Sequence, residues 1–247
     1  MIKVGVADYG MYVWHGGLYD YGARCADIKS VGYEGLERLR TVSESDAVHK
    51  AGIVRRLGMD FATCQAPDPE HCIEWTAAFG KSYVWVSSSA QDFDTLCRHA
   101  RAQAEACVPW NVRAGLHNHL GTLVETQEEL LRFLDACPGC GLILDTAHLS
   151  VAEGGDPLHI IRNYFDRIVA VHVKDWFMKD ESAPVWHEKG YFCELGGGNY
   201  PVPNEECVKE LAARGYDGWI LVEHDTHLRD PLLDLAASRE KLRSWGV

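Results

Sequence analysis

The sequence of 247 residues predicts one domain, residues 1–247, with the fold of a (β/α)8 barrel. Short apolar segments rich in β-branched residues alternate with helical segments along the whole chain. Eight such pairs of roughly thirty residues each match the usual size of an eightfold barrel. Four of the strand-like segments end abruptly in His, Asp or Glu. The alternative, an open doubly wound sheet, often has a glycine-rich loop after its first strand, and no such loop follows residues 4–7 here.

The strands and helices can be placed from their boundary residues. Strands are expected to begin near Ile2, Gly32, Met59, Ser82, Val112, Leu142, Arg167 and Trp219. Helix starts are marked by a capping side chain or by a proline in the first turn. Helices are predicted over 44–57 after Ser43, over 128–137 after Thr126, from Pro157 to 164, over 205–214 after Asn204, and, for the last helix, from Pro231 onward.

The connection after the seventh strand is unusually long. Residues 176–203 are rich in aromatic, glycine, proline and charged residues. Long connections in compact domains are usually functional or disordered, and the aromatic content favours an ordered segment. We expect this segment to form a lid over the mouth of the barrel.

The composition excludes some classes of function. With 24 basic and 36 acidic residues the formal net charge is −12, which argues against non-specific nucleic-acid binding. No apolar run has membrane-spanning length, and the first ten residues lack the features of a signal peptide. The nine cysteines are scattered and odd in number, as expected for reduced thiols. We therefore expect a cytoplasmic protein without nucleic-acid or membrane partners.

Polar residues with metal-binding side chains follow four strands. His117 and His119 follow the fifth, Asp145 the sixth, and His172 and Glu223 end the seventh and eighth. Taken singly, each has an ordinary explanation as a core histidine, a helix cap or an ion-pair partner. Since the carboxyl ends of barrel strands meet at one mouth, their coincidence predicts a shared metal site. Two imidazoles with two carboxylates suit Mn²⁺, Co²⁺, Fe²⁺ or Zn²⁺ better than Ca²⁺ or Mg²⁺.

Five motifs make the chain resemble a known family, the xylose isomerase-like barrels, which include sugar isomerases, epimerases and inosose dehydratases. They are GYEGLE at 32–37, HNHLGT at 117–122, DTAH at 145–148, HVKD at 172–175 and VEHD at 222–225. The resemblance spans nearly the whole chain and implies a barrel with one divalent metal, often manganese or cobalt. The ligands that it implies are His117, Asp145, His172 and Glu223.

The resemblance also implies roles for residues around the metal. His148 is implied to support the metal or to contact the substrate, Glu37 to make a polar contact from the second strand, and Lys174 to touch the substrate. Barrels of this group often associate, which implies a homo-oligomer. One position departs from the family pattern, because many isomerases and epimerases have Glu where this chain has His117. This departure makes the chain more similar to the inosose dehydratase branch.

The chemistry shared by this family is removal of a proton beside a carbonyl, with a metal stabilising the enolate. Glu223, Glu37 and His119 are the candidate bases, and His148 and Lys174 are candidates for protonating a leaving oxygen. Return of the proton gives isomerisation or epimerisation, and loss of a β-substituent gives a lyase. The sequence leaves these three outcomes open.

The expected substrate is a neutral keto-sugar or cyclitol, because few basic residues besides Lys174 are found at the strand ends. Trp14, His15 and Trp176 are candidate substrate contacts, with packing of the loops as the alternative. Other readings remain: a lyase that eliminates from an oxidised glycoside, a phosphodiesterase of the apurinic endonuclease type, and a non-catalytic accessory subunit. The endonuclease needs more metal ligands and a basic surface, so the acidic balance counts against it.

Overall fold

The structure, a computed structural model, describes residues 1–225 and 227–247. Eight parallel strands form a nearly closed barrel in the order β3-β2-β1-β10-β7-β6-β5-β4. The barrel strands are β1 (Lys3–Ala7), β2 (Gly35–Arg40), β3 (Asp60–Gln65), β4 (Tyr83–Trp85), β5 (Arg113–His117), β6 (Gly141–Asp145), β7 (Ile168–Val173) and β10 (Trp219–Glu223). The predicted (β/α)8 barrel is confirmed, and each strand begins within a few residues of its expected position.

Helices follow the strands and cover the outside of the barrel. They are α1 (Tyr9–Trp14), α2 (Tyr21–Ser30), α3 (Glu44–Arg56), α4 (Pro69–Ala78), α5 (Phe93–Cys107), α6 (Gln127–Ala136), α7 (Thr146–Val151), α8 (Pro157–Asn163), α9 (Trp186–Lys189), α10 (Asn204–Ala213) and α11 (Pro231–Ser244). Within the described part of the chain, no helix has the length and apolarity needed to cross a bilayer.

Two apolar layers hold the barrel together. The interior is filled by a small cluster that includes Tyr83, Ile143, Ala170 and Leu221, all at most 1 % exposed. A much larger cluster lies between the strands and the surrounding helices. Because the strands are buried on both faces, their sequences are continuously apolar up to the carboxyl ends, and the change to polar residues marks the mouth.

Most of the predicted helix starts are confirmed. The side chain of Ser43 accepts a hydrogen bond from the backbone N–H of Asp46, and Thr126 forms a full capping box with Glu129. Asn204 is the exception, because its side chain makes no cap for α10. Its amide instead contacts the Lys174 carbonyl at 2.9 Å, so the cap prediction was wrong and the residue braces the mouth.

The long connection after β7 contains an antiparallel hairpin rather than an irregular loop. Its strands are β8 (Asp175–Met178) and β9 (Gly190–Cys193), with α9 between them. Trp176 is fully buried, and its ring centroid lies 4.7 Å from that of Phe192. The Phe192 ring in turn meets the His148 ring edge-on at 4.4 Å. The aromatic residues therefore order this segment beside the mouth, and its action as a lid stays a prediction.

Candidate metal centre and active site

Four side chains converge at the carboxyl end of the barrel. His117 ends β5, Asp145 ends β6, His172 lies in β7 and Glu223 ends β10. One ligand atom from each lies within 4.8 Å of the others. Neighbouring parallel strands bring them together, since Asp145 stands directly beside His172 in the β6–β7 register. The structure thus assembles the four residues that the sequence singled out.

The geometry of this group fits a divalent cation. Nε2 of His117 lies 3.4 Å from Oδ2 of Asp145 and 3.9 Å from Oε2 of Glu223. Nδ1 of His172 lies 3.0 Å from the same Glu223 oxygen and 3.8 Å from Oδ2 of Asp145. Two imidazole nitrogens and two carboxylate oxygens therefore face one small space, a donor set that suits Mn²⁺, Co²⁺, Fe²⁺ or Zn²⁺.

Lys174 is fully buried against the carboxylates of this group. Its Nζ lies 2.9 Å from Oδ2 of Asp145, 2.8 Å from Oε2 of Glu223 and 3.4 Å from Oδ2 of Asp225. Burial alone would raise the pKa values of Asp145 and Glu223, but the Lys174 ammonium and the neighbouring histidines together outweigh it and hold both well below their ordinary range. Three carboxylates share one ammonium, and the surplus negative charge favours a bound divalent cation.

Glu37 lies behind His172 and is completely buried. Its Oε1 lies 3.0 Å from Nε2 of His172 and accepts hydrogen bonds from Nε1 of Trp85 at 2.9 Å and from the Tyr83 hydroxyl at 3.3 Å. A carboxylate that binds the far nitrogen of a metal-binding histidine fixes the ring and makes it a better ligand. We therefore interpret Glu37, predicted as a polar contact or base, as a positioning residue for His172.

A second group adjoins the first and consists of His119, His148 and Asp225. The His119 and His148 rings lie with their centroids 3.7 Å apart. Nε2 of His119 lies 3.7 Å from Oδ1 of Asp225, and Nε2 of His148 lies 3.6 Å from Oδ2. His148 is fully buried, whereas the side chains of His119 and Asp225 are 28 % and 24 % exposed. The latter two side chains are thus the members of this group that solvent reaches.

Hydrogen bonds set different protonation states in these histidines. Nδ1 of His119 lies 2.6 Å from the Leu120 carbonyl and donates to it, which leaves Nε2 to gain or lose a proton. Burial lowers the pKa of His119, but Asp225 and the Leu120 carbonyl outweigh burial and raise it overall. Burial and then Lys174 hold the pKa of His148 well below its ordinary value. Neutral His148 accepts the Leu120 N–H at 3.4 Å through Nδ1, so its proton is on Nε2.

Two features of the mouth were not predicted from the sequence. Asp225 was given no role, although the spacing Glu223-x-Asp225 indicates a second polar residue at the same strand end. Few basic residues were expected at strand ends, yet Arg38 and Arg40 lie in the last three residues of β2. Both arginines can be seen in the sequence, but they lie far along the chain from the four strands that end in His, Asp or Glu.

The predicted substrate contacts lie in two different environments. Trp14 and His15 are exposed at the end of α1, where the His15 ring lies 3.9 Å from that of Tyr19. Trp176 is buried in the hairpin. Trp186, which was not predicted, is only half-buried, and its ring centroid lies 6.3 Å from that of His119. In the structure, Trp186 is therefore better placed than Trp176 to contact a molecule in the mouth.

A cavity of about 530 Å³ opens beside the candidate metal centre. His117 lines it together with the polar residues Ser88, Gln91 and Thr122. The volume is in the range of small-molecule sites in proteins. Of the four converging side chains, that of His117 lines this cavity.

Several of the known proteins that are similar in sequence to this chain are inosose dehydratases. Inosose dehydratase of Bacillus velezensis is 29 % identical over 154 residues, which are 58 % of this chain and 51 % of that protein. The chain thus spans about half the length of the curated relatives that it matches.

Solved structures share the fold over nearly the entire chain. The probable 3-DHS dehydratase of Bacillus anthracis superimposes with a TM-score of 0.74 at 16 % identity, covering 98 % of both chains. L-ribulose 3-epimerase superimposes with a TM-score of 0.68 at 16 % identity, covering 99 % of this chain and 94 % of that one. At this identity the likeness shows the barrel fold alone.

The sequence profile of one family covers most of the chain. The profile described as the xylose isomerase-like TIM barrel matches residues 25–245, which include Lys174 and the seven residues of the two groups above. The family match agrees with the observed barrel and with the polar ends of its strands. The chain belongs to the xylose isomerase-like TIM barrel family.

Proposed function

We propose that this protein is a divalent-metal-dependent enzyme that removes a proton beside the carbonyl of a keto-sugar or cyclitol. The observation that carries the proposal is the convergence of His117, Asp145, His172 and Glu223 within 4.8 Å, directly beside the proton-carrying group of His119, His148 and Asp225. The relatives and structural neighbours, which include dehydratases and an epimerase, support the same class of chemistry.

The four converging residues would hold the metal, and Mn²⁺ or Co²⁺ is the ion we favour. When bound, such an ion supplies positive charge that polarises a carbonyl and stabilises the negative charge that develops on its oxygen. Lys174 adds a fixed positive charge beside the same carboxylates. His172 is held in place by Glu37, so the site is organised before a substrate arrives.

His119 is the proton carrier that we favour. Its Nε2 is the free nitrogen, it is partly exposed, and Asp225 lies close enough to stabilise its protonated form. His119 takes the carbon-bound proton at Nε2, and the electron pair of that C–H bond moves toward the carbonyl. His148 lies beneath the His119 ring and cannot take a proton at Nε2, because that nitrogen already carries one.

Elimination of water is the outcome that the residues favour. Epimerases of this family use two opposed carboxylates, and His117 stands where the first would be, while Glu223 is paired with Lys174. In an elimination the C–H pair becomes a carbon–carbon double bond and the β-hydroxyl leaves. Protonated His119 returns its proton to that oxygen to give water. Isomerisation or epimerisation is the second candidate, since it begins with the same proton abstraction.

Deuterium exchange tests the proposal. The Mn²⁺-supplemented protein is incubated in D₂O with keto-sugars and inososes, and the products are followed by NMR. We expect loss of the hydrogen beside the carbonyl, seen as the unsaturated product when the β-hydroxyl leaves or as deuterium at that carbon when a proton returns, and at least a hundredfold slower loss in His119→Asn, consistent with loss of a general base. His159→Asn, which alters a half-buried histidine on α8 outside the mouth, is the matched control. Absence of this loss with every substrate would remove the basis of the proposal.

Metal content separates this function from that of the apurinic endonuclease type. One ion per chain is the result that agrees with the proposal. Three ions per chain, together with cleavage of abasic DNA, would favour the phosphodiesterase. An accessory subunit would show neither exchange nor loss of metal in Asp145→Ala.

A further inference from the structure

We propose that the substrate is an anion, and that Arg38 and Arg40 at the end of β2 bind its carboxylate or phosphate. This inference rests on the proposed function and names the substrate class of the same site. It replaces the neutral substrate expected from the sequence. Three observations support it: buried guanidinium N–H groups have no hydrogen-bond partner, aromatic rings pack against both guanidinium groups, and Arg38 lines a cavity at the mouth of the barrel.

The two arginines have hydrogen-bond donors that the protein does not use. Within the described part of the chain, Nε of Arg38 and Nε of Arg40 are both buried and have no hydrogen-bond partner. Among the described residues, Nε of Arg38 lies 3.5 Å from Oε2 of Glu37, a buried oxygen that also has no hydrogen-bond partner, while His172 contacts the other oxygen, Oε1. A buried donor without an acceptor is costly, so its presence at a functional mouth indicates an absent partner.

Aromatic rings hold both guanidinium groups in place. The Cζ atom of Arg38 lies 4.4 Å from the centroid of the Trp85 ring. The Cζ atom of Arg40 lies 5.7 Å from the Tyr9 ring and 5.8 Å from the Tyr12 ring. An aromatic ring over the face of a guanidinium leaves the N–H groups at its edge available, and these match the oxygens of a carboxylate or phosphate.

A third arginine in this region, Arg24, is paired with the carboxylate of Asp8. Its Nη1 lies 3.1 Å from Oδ2 of Asp8, and this pair is almost completely buried. Burial, then Arg38, lowers the pKa of Arg40, which shows that the two guanidinium groups act on each other. Their mutual repulsion is relieved when an anion binds between or beside them.

The cavity that Arg38 lines adjoins the cavity that His117 lines. Arg38, Gln65, Trp85 and Ser87 line a cavity of about 230 Å³ at the mouth, which shares Val86 with the larger cavity beside His117. Trp85, which lines the smaller cavity beside Arg38, has its ring centroid 4.7 Å from that of His117. One molecule can therefore place an anionic group at Arg38 and a carbonyl near His117.

A binding experiment with three matched probes tests the inference. Fructose, 5-ketogluconate and fructose 6-phosphate are titrated calorimetrically into the full-length, Mn²⁺-supplemented protein. We expect at least one anionic probe to bind about tenfold or more tightly than fructose, and the tighter of the two identifies carboxylate or phosphate as the recognised group. Equal or weaker binding of both anionic probes, including no binding at all, would overturn the inference.

Arginine variants assign the preference to these residues. Arg38→Gln and Arg40→Gln are each expected to remove about tenfold of the affinity for the anionic probe and to leave fructose binding unchanged. Arg56→Gln, which removes the same charge from the exposed surface of α3, is expected to change neither. Circular dichroism confirms folding, and Arg40→Gln serves if Arg38→Gln does not fold. An equal loss in Arg56→Gln would assign the preference to net charge and contradict the inference.

The same samples separate this inference from the proposed function. Deuterium exchange without a preference for anionic probes would contradict the arginine site and leave the enolising activity intact. A preference for anionic probes that depends on Arg38, without exchange in any substrate, would contradict the proposed activity and leave the anion site intact.

Discussion

Replacement of Glu37 by glutamine is expected to weaken metal binding although Glu37 is not itself a ligand. Glutamine has nearly the same volume and keeps one carbonyl oxygen for the Trp85 and Tyr83 donors that Glu37 now accepts. It removes the negative charge that faces Nε2 of His172 at 3.0 Å. The imidazole is then a poorer ligand, and its ring is less firmly oriented.

The size of the effect follows from this geometry. Loss of a hydrogen-bonded partner behind a metal-binding histidine usually costs about tenfold to hundredfold in metal affinity, or roughly 1.4 to 2.7 kcal/mol. We expect Glu37→Gln to lie in this range, because the carboxylate is fully buried and solvent cannot replace it. If Glu37 only positions His172, saturating Mn²⁺ should restore most of the activity.

Competition of Mn²⁺ binding with a chelator, followed by electron paramagnetic resonance, measures the change. Glu34→Gln is the matched control, since Glu34 is exposed just before β2 and accepts a hydrogen bond from the Val4 N–H. If Glu37→Gln binds Mn²⁺ with unchanged affinity, while His172→Ala loses the metal in the same assay, the positioning role is refuted. Loss of activity that saturating Mn²⁺ does not restore would instead support the direct catalytic role considered from the sequence.

Three further substitutions probe the mouth. Lys174→Met leaves three carboxylates without their ammonium. In a urea titration with EDTA present, this variant should therefore lower the free energy of unfolding by about 3–5 kcal/mol. Lys209→Met, which changes an exposed lysine, should have little effect in the same titration. Asn204→Ala should cost about 1–3 kcal/mol in that titration, because it removes buried amide contacts, and a smaller change would contradict its bracing role. Asp145→Asn and Asp145→Ala should both lose Mn²⁺ in calorimetry, but only Asn can keep the cap of α7, so Asp145→Ala should melt at a lower temperature. Retention of Mn²⁺ by either Asp145 variant would contradict its role as a ligand.

The barrel and the metal-binding residues could be predicted because their signals are local. A parallel barrel buries both faces of each strand, so polar side chains at the strand ends stand out in the sequence. Asp145 is an example, since it directly follows four buried residues of β6. The shared geometry of parallel strands then places such ends together without any knowledge of distant contacts.

The remaining features depend on contacts that the local sequence does not encode. Asn204 has the sequence of a helix cap, but its amide is drawn to the Lys174 carbonyl and Thr146 hydroxyl from distant parts of the chain. Glu37 was placed in the correct strand but at its end, whereas β2 continues to Arg40, and its partner His172 lies 135 residues away. The β8–β9 hairpin is similarly stabilised by packing of Trp176 and Phe192, which their spacing in sequence does not reveal.

A crystal grown with Mn²⁺ and measured by anomalous scattering tests the central claim most directly. We predict one strong peak, coordinated by Nε2 of His117, Oδ2 of Asp145, Nδ1 of His172 and Oε2 of Glu223. A third polar group, formed by His224, His227 and Asp234, provides an internal comparison. A peak at that third group with no density among the four strand-end residues would contradict the claim.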